Sequence, residues 1–254
     1  AIVVRIRIWS AAPALAGAGL VRVGRAQVVV VVHIARRLVA GLCGAVGVTR
    51  AIIHSRAKLA YETTAPEDVP LLADFAARMA RGEEARGAAP SSPPDQELGR
   101  DESGTYSLQV RPWRLSEVAN ASLSLAANIA IGKALLAAGT GLFREMPAPD
   151  DKALARLRLT ARALGLHWPD DLSYAHFTRA LDVTTRAGSN FALAVRRATG
   201  PARYEPFTKG YVPWHAALGA TYAHATAPMR RLADRYVLDA VLALGRSEPP
   251  PRPD

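Results

Sequence analysis

Apolar positions recur at helical spacing over several long windows and alternate at a spacing of two only in short ones. From Leu115 to Ala138 the spacing predicts a long helix with Leu123, Ala127, Ile131 and Leu135 on one face, closed by Gly139 and Gly141. Ala65 to Arg81 predicts another, with Thr64 as its cap, Pro66 in its first turn, and Glu67 and Asp68 at the positive end of its dipole. Asp150 or Asp151 caps a third through Leu164, which turns Leu154, Leu157, Ala161 and Leu164 inward and ends at Gly165. Further helices are predicted over Asp171–Leu181 and Ser189–Ala198. Met229 to Leu244 carries a stripe of Leu232, Tyr236, Val237, Ala240 and Leu244. Strands are predicted at Ala1–Ile8, Gln27–Ile34, Arg50–Lys58, Thr105–Arg111 and Ala202–Phe207. The stretch Gly87 to Gly104, rich in Pro, Ser, Asp and Glu, reads as a loop, and no internal repeat interrupts the pattern. The expected fold class is mixed α+β, with helices packed around small sheets and no doubly wound parallel sheet.

The chain has 254 residues, of which 50% are hydrophobic and 21% charged, enough apolar surface for one large or two small domains. Its formal charge is +10 and its pI about 10.3, which favours an anionic partner such as nucleic acid or an anionic membrane surface. The charge is concentrated: residues 1–50 contain seven Arg and no Asp or Glu. Three readings of that segment stand open: a basic arm, two buried strands with a helix, or a stretch translated in the wrong frame. The expected division is therefore 1–49 as an atypical Arg/Val/Ala-rich segment, 50–245 as the folded domain and 246–254 as a Pro-rich disordered tail. The chain does not begin with Met, so a fragment or processed product is expected. Cys43 is the single cysteine, which excludes an internal disulfide and a cysteine-built zinc site and fits a reducing, cytoplasmic location. A charge-free early stretch, Ile8 to Val21, is shorter than a membrane span and contains Pro13, so no membrane partner is expected.

Several chemistries are absent. Gly17, Gly19 and Gly24 miss the dinucleotide-binding spacing because position 22 is Arg, and no phosphate loop of the G-x-x-x-x-G-K-S/T type exists, so no nucleotide cofactor is expected. No H-x-x-x-H pair suits a zinc hydrolase and no G-x-S-x-G elbow suits a serine hydrolase.

The segment Tyr222 to Tyr236, YAHATAPMRRLADRY, is the most informative. It places Thr226 and Pro228 before adjacent Arg230 and Arg231 at the opening of a helix. Free N–H groups and about half a positive charge from the dipole favour an anion there, and arginine forks match phosphate oxygens. The alternative is structural: Arg230 pairs with Asp234 and Arg235 with Asp239 along the helix. His224 can bond the loop or approach a phosphate. Trp113, Trp168 and Trp214 can stack on bases or pack; Lys152, Arg156, Arg158 and Arg162 form either a solvated helix face or a phosphate track.

YAHATAPMRRLAD resembles the H-F-T-S-P-I-R-R-Y-A-D signature of the ribonuclease II / ribonuclease R family, the RNB catalytic domain. HSRAKLAYE (His54 to Glu62), ARGAAPSSPPDQEL (Ala85 to Leu98), LSLAANIAIGKAL (Leu123 to Leu135) and LFREMPAPDDKALARL (Leu142 to Leu157) resemble further family segments in the family's order, over roughly residues 49 to 245. The nearest flavour is the short, Arg-rich actinobacterial type. The resemblance implies a 3′-to-5′ exoribonuclease that uses two Mg²⁺ ions to hydrolyse single-stranded RNA to nucleoside 5′-monophosphates, acting as a monomer. It implies that Arg230 stabilises transition-state charge, Arg231 holds a backbone phosphate and Tyr61 contacts RNA near its 3′ end. Thr226, His224 and Asn120 are the remaining candidate RNA-binding residues, with Asn120 standing near the position of a family glutamate. The departures are equally specific. No Asp or Glu precedes Glu62, so the metal-binding aspartate cluster has no counterpart here; Ala227 replaces the serine of T-S-P; and Pro90, Ser91 and Ser92 follow the R-G-A segment. The expectation is an RNA-binding portion of such an enzyme with impaired catalysis. The alternatives are a non-catalytic single-stranded RNA-binding protein or a non-functional gene-model fragment.

Overall fold

The computed structural model describes residues 2–5, 27–29, 31–34, 49–51, 59–64, 68–69, 71–89, 95–111 and 113–251. In chain order the elements are β1 (Ile2–Arg5), β2 (Gln27–Val29), β3 (Val31–Ile34), β4 (Thr49–Ala51), α1 (Leu72–Ala85), β5 (Asp95–Arg100), β6 (Tyr106–Arg111), α2 (Leu115–Ala137), β7 (Leu142–Glu145), α3 (Asp151–Ala163), α4 (Tyr174–Ala180), α5 (Arg186–Ala198), β8 (Arg203–Pro206) and α6 (Leu232–Gly245). Every sheet among the described residues is a two-stranded antiparallel ribbon: β1 with β3, β2 with β4, β5 with β6, β7 with β8. The mixed class with small sheets is as the periodicity implied.

Helix α2 is the centre. Its second half is buried nearly all round, through Ala126, Ala127, Ile129, Ala130, Ile131 and Leu135. Phe75 and Met79 of α1, Phe143 of β7, Ala220, Ala223 and Ala225 of the late loop, and Val237, Ala240 and Val241 of α6 close around it. A helix apolar on all sides is a core helix or a membrane span. By length and composition α2 suits a span, but half of its most apolar window is buried inside the fold. A second, smaller core joins α3, α4 and α5. Trp168 stacks on Phe177 at 4.5 Å, Phe191 meets Phe177 edge-on at 5.3 Å, and the Arg158 guanidinium covers the Trp168 ring at 4.4 Å. Trp168 is thus a packing residue.

The caps of α3 to α5 follow local rules. Asp150 accepts from the Ala153 N–H at 2.7 Å, Ser173 caps α4, and Thr185 Oγ1 accepts from the Gly188 N–H at 3.0 Å, so α5 begins ahead of the predicted Ser189. Gly139, with φ 69°, supplies the left-handed residue that ends α2.

Three predictions need correction. Helix α1 starts at Leu72 rather than Ala65, because Pro70 disfavours helical geometry in the residue before it. Thr64 is not its cap: its hydroxyl donates instead to the Ala60 carbonyl. Part of the predicted Gly87–Gly104 loop is strand β5. Its polar sequence hides the pairing with β6, which is set by the turn between them: Asp101 Oδ1 accepts from the Thr105 N–H at 2.9 Å and Gly104 takes φ 86°. Helix α6 begins at Leu232, so Leu232 lies outside the apolar stripe and is 79% exposed, while Leu238 and Val241 join the core. Residues 52–58 of the predicted strand Arg50–Lys58 lie outside the described residues.

Gly132 lets α2 approach the segment that carries the candidate site. A Cβ there would lie 3.1 Å from the Ala223 nitrogen and 3.2 Å from the Thr221 oxygen, both backbone atoms. Gly132→Val should overpack this contact and lower unfolding free energy by about 1–3 kcal/mol, read from urea denaturation. An unchanged midpoint would show the two backbones are free to part.

Candidate functional site

The late motif is organised by one buried acid. Asp234 is 0% exposed on the first turn of α6. Its Oδ1 accepts from the Ala227 N–H at 2.6 Å and from Arg231 Nη2 at 2.8 Å, and its Oδ2 accepts from Arg231 Nε at 2.7 Å. Pro228 to Arg230 form a turn, Arg231 is the N-cap of α6, and Arg235 Nε donates to the Pro228 carbonyl at 2.8 Å. This corrects the sequence reading in two ways. Neither arginine projects from the first helical turn, because the loop closes onto Asp234 before the helix begins. The acid's partner is Arg231, not Arg230, and Arg235 does not pair with Asp239 but holds the turn. Arg230 is exposed, and among the described residues its side chain has no hydrogen bond or ion pair.

A second anchor is Asn128, buried in the middle of α2. Its Oδ1 accepts from the Ala225 N–H at 3.0 Å, while its Nδ2 donates to the Tyr222 hydroxyl at 2.8 Å and to Thr226 Oγ1 at 3.4 Å. One amide thus fixes the loop from 222 to 226, and Thr226 is held by it rather than by a helix end. Asn128 was missed in favour of Asn120. A polar side chain inside the run Ala127–Asn128–Ile129 is the signal, since a buried amide must find partners.

His224 Nδ1 and the Tyr204 hydroxyl are 2.8 Å apart, and Tyr204, His224, Tyr222 and His215 succeed one another through edge contacts of 5.3–5.7 Å. Burial brings the His224 pKa down to about 4, with Arg231 and Arg144 lowering it further and Asp234 opposing them. Burial and Arg144 bring His215 to about 4 as well. Both imidazoles are therefore neutral at pH 7. Arg144, on β7, sits over the Tyr204 ring at 4.6 Å.

Tyr61 and Asn120 form a separate cluster. Asn120 Nδ2 donates to the Tyr61 hydroxyl at 2.8 Å, and Ser116 Oγ donates to the Tyr61 carbonyl at 2.9 Å. Tyr61 and Ser116 border a mostly apolar cavity of about 380 Å³ lined also by Thr64, Leu72, Arg114 and Ala119. Eight residues along α2 separate Asn120 from Asn128, about 12 Å at the helical rise. Trp113 and Trp214 are about half exposed, and Lys152, Arg156 and Arg162 lie on the open face of α3. Arg158 is held by Asp170 and Trp168.

Among the described residues no group of three or more His, Cys, Asp or Glu could hold a metal ion. The two buried acids beside the site are engaged unequally: Asp234 binds Arg231 through both oxygens, while Glu145 lies 3.8 Å from Arg203 and its Oε1 is buried without a hydrogen-bond partner among the described residues. These donors do not fit a two-Mg²⁺ centre.

The family model of the RNB domain matches residues 23–244. The chain belongs to the RNB family. RNase R of Mycoplasma genitalium, in complex with ribose-methylated single-stranded RNA, has the same fold, with TM-score 0.67 and 19% identity over 84% of this chain and 36% of that one. The same enzyme with double-stranded RNA gives TM-score 0.64 at 18% identity over 86% and 42%. Yeast Ssd1, a pseudonuclease, gives 0.63 at 18% over 89% and 30%. This RNB chain therefore spans about a third of the length of these relatives. No curated protein matches it.

Asp234→Ala strips the buried partner from Arg231 and releases the Ala227 N–H; it should lower stability by about 3–5 kcal/mol, measured by denaturant unfolding. The histidines give a pH signature. Their folded pKa values lie below the unfolded value, so the unfolded chain takes up more protons between about pH 6.5 and pH 4. Their contribution is complete above pH 6.5 and is lost as pH falls through that window. The thermal midpoint should fall across it, and His224→Phe should flatten part of the fall; equal slopes for the two proteins would refute the assignment.

Proposed function

We propose that the chain is the strand-gripping part of an RNB-family 3′-to-5′ exoribonuclease, binding single-stranded RNA through the loop from His224 to Arg231 and hydrolysing it weakly or not at all by itself. The observation that carries this reading is the division of labour between the paired arginines. Arg231 is locked to Asp234, which fixes the loop, and Arg230 stands open beside it with a full fork of donors. An exposed, unpaired guanidinium on a fixed loop of a chain with charge +10 suits a phosphate in sign and in its fork of donors. The RNase R complexes with RNA support a polynucleotide as that anion. Arg231 lends its remaining nitrogen and its charge, and Thr226 and His224 line the approach. Tyr61, steadied by Asn120, contacts the strand at the other cluster on α2. The binding unit is residues 50–245, a monomer in the cytoplasm. Mg²⁺ belongs to the intact family enzyme, where it activates water and neutralises phosphate charge.

A second reading is a non-catalytic RNA-binding protein. The fold it shares with Ssd1, a pseudonuclease, favours it. Both readings predict salt-sensitive binding. A labelled single-stranded RNA titrated at several salt concentrations should lose affinity with a slope of about −0.7 per phosphate neutralised. Arg230→Ala should weaken binding about tenfold, the scale of one charge-assisted hydrogen bond, and leave the melting temperature unchanged because the side chain touches nothing among the described residues. Incubation with Mg²⁺ should release few mononucleotides. Robust release would overturn the impairment, and salt-insensitive binding would overturn both readings.

A further inference from the structure

Arg144 is the other guanidinium of this region that lacks an acid. In the β7–β8 register it stands opposite Tyr204, so both side chains rise from the same face of the ribbon. There the guanidinium lies over the Tyr204 ring, its carbon 4.6 Å from the ring centre. Tyr204 is in turn held by its hydroxyl contact to His224 at 2.8 Å, so the platform under Arg144 is fixed at both ends. Among the described residues the Arg144 side chain makes no hydrogen bond and no ion pair, and it is only partly buried. Among the described residues no carboxylate forms an ion pair with it. The nearest groups that sense its charge are His215 and His224, both neutral. Asp234 gives both oxygens to Arg231 and the Ala227 N–H. Glu145, next in sequence, points to the opposite face of the ribbon, toward Arg203. Arg203 itself is matched by Glu205 at 2.9 Å. A partly desolvated arginine that is stacked, oriented and uncompensated is prepared for an incoming anion, since its five donors stay in a rigid fork while its apolar face is covered.

His224 ties this group to the loop already described, because its imidazole lies in the field of both Arg231 and Arg144. Two guanidinium groups therefore flank one neutral ring, one on the loop and one on the ribbon. A polynucleotide presents successive phosphates, so one bound strand supplies an anion for each of the two unpaired arginines, Arg144 and Arg230.

We infer that Arg144, stacked on Tyr204, is a second phosphate-binding residue of this site and takes a phosphodiester of the same bound strand as Arg230. The inference rests on the RNA-binding reading above and adds a residue that the late motif does not contain. Three proteins test it beside wild type: Arg144→Gln, which removes the charge and leaves a shorter polar side chain; Arg144→Lys, which keeps the charge without the fork; and Arg230→Ala. Each is titrated with a short labelled single-stranded RNA over a salt series, with melting curves alongside. Arg144→Gln should reduce the salt slope by about 0.7 and weaken binding about tenfold at moderate salt. Arg144→Lys should restore the slope and only part of the affinity. The melting temperature should hold in both. If Arg144→Gln binds with wild-type affinity and slope while Arg230→Ala is weakened, the inference is wrong and the RNA-binding reading stands. Arg144→Lys matching Arg144→Gln in slope would also reject it. If wild type binds no RNA, both fall together. Should Arg144→Gln fail to fold, Tyr204→Leu, which removes the platform and leaves Arg144 charged, should lower affinity with the slope unchanged, and undiminished affinity would count against the inference.

Discussion

The late loop depends on a carboxylate that cannot reach water. An ionised group taken out of solvent costs several kcal/mol unless charge and hydrogen bonds replace its hydration. Asp234 receives three: the Ala227 N–H and two donors of Arg231. That requirement draws the chain from Ala227 to Arg231 back over the first turn of α6, so the motif is a closed loop rather than the open end of a helix. It also divides two adjacent arginines that look equivalent in sequence. The one used for neutralisation is fixed; the other is pushed outward, where no acid among the described residues meets it. The open position of Arg230 is a by-product of folding electrostatics.

The loop is held from below by the small-residue face of α2. Asn128 and Gly132 are four residues apart and so share one side of the helix. The glycine lets the two backbones come within van der Waals contact, and the asparagine then reaches the Ala225 N–H and the Tyr222 hydroxyl. Neither works without the other: a larger residue at 132 would lift the loop out of reach of the amide, and an apolar residue at 128 would leave a buried N–H unpaired. The site is therefore mounted on the most buried element of the protein, which limits the motion of groups that must meet a phosphate at hydrogen-bond distance.

Much of this was legible in the sequence where local rules decide. The long α2, the Asp150 cap, the glycine stops and the strand after the turn at Asp101 follow from period, capping and local alternation. The start of α1 was lost because the local helical pattern extends through Pro70. Strand β5 was lost because Asp-Gln-Glu-Leu-Gly-Arg has no alternation, and only its partner shows it to be a strand. At the site, Arg230, Arg231, Thr226 and His224 were found through one contiguous motif. Which arginine pairs with Asp234 depends on the turn geometry, and sequence spacing permits both. Asn128 and Arg144 come from segments nearly a hundred and about eighty residues upstream of the motif, and they join it only through long-range packing. Arg144 looks in sequence like an ordinary strand residue; its lack of an acid becomes visible only when the ribbon register places Glu145 on the other face.

The same bookkeeping of acids bears on chemistry. A pair of divalent ions needs several carboxylates turned toward one point, their mutual repulsion relieved only by the metals. In this chain the buried acids are turned toward arginines, Asp234 to Arg231 and Glu145 to Arg203. Recruiting Asp234 to a metal would leave Arg231 uncompensated in a partly desolvated setting, whereas Arg203 is largely exposed and keeps Glu205. A strand of phosphates makes the opposite demand: it needs arginines with no acid at hand, and Arg144 and Arg230 meet it. Gripping a polyanion and holding metal ions thus call for opposite charges at the point of contact, and among the described residues the proposed binding loop offers arginines rather than a cluster of carboxylates.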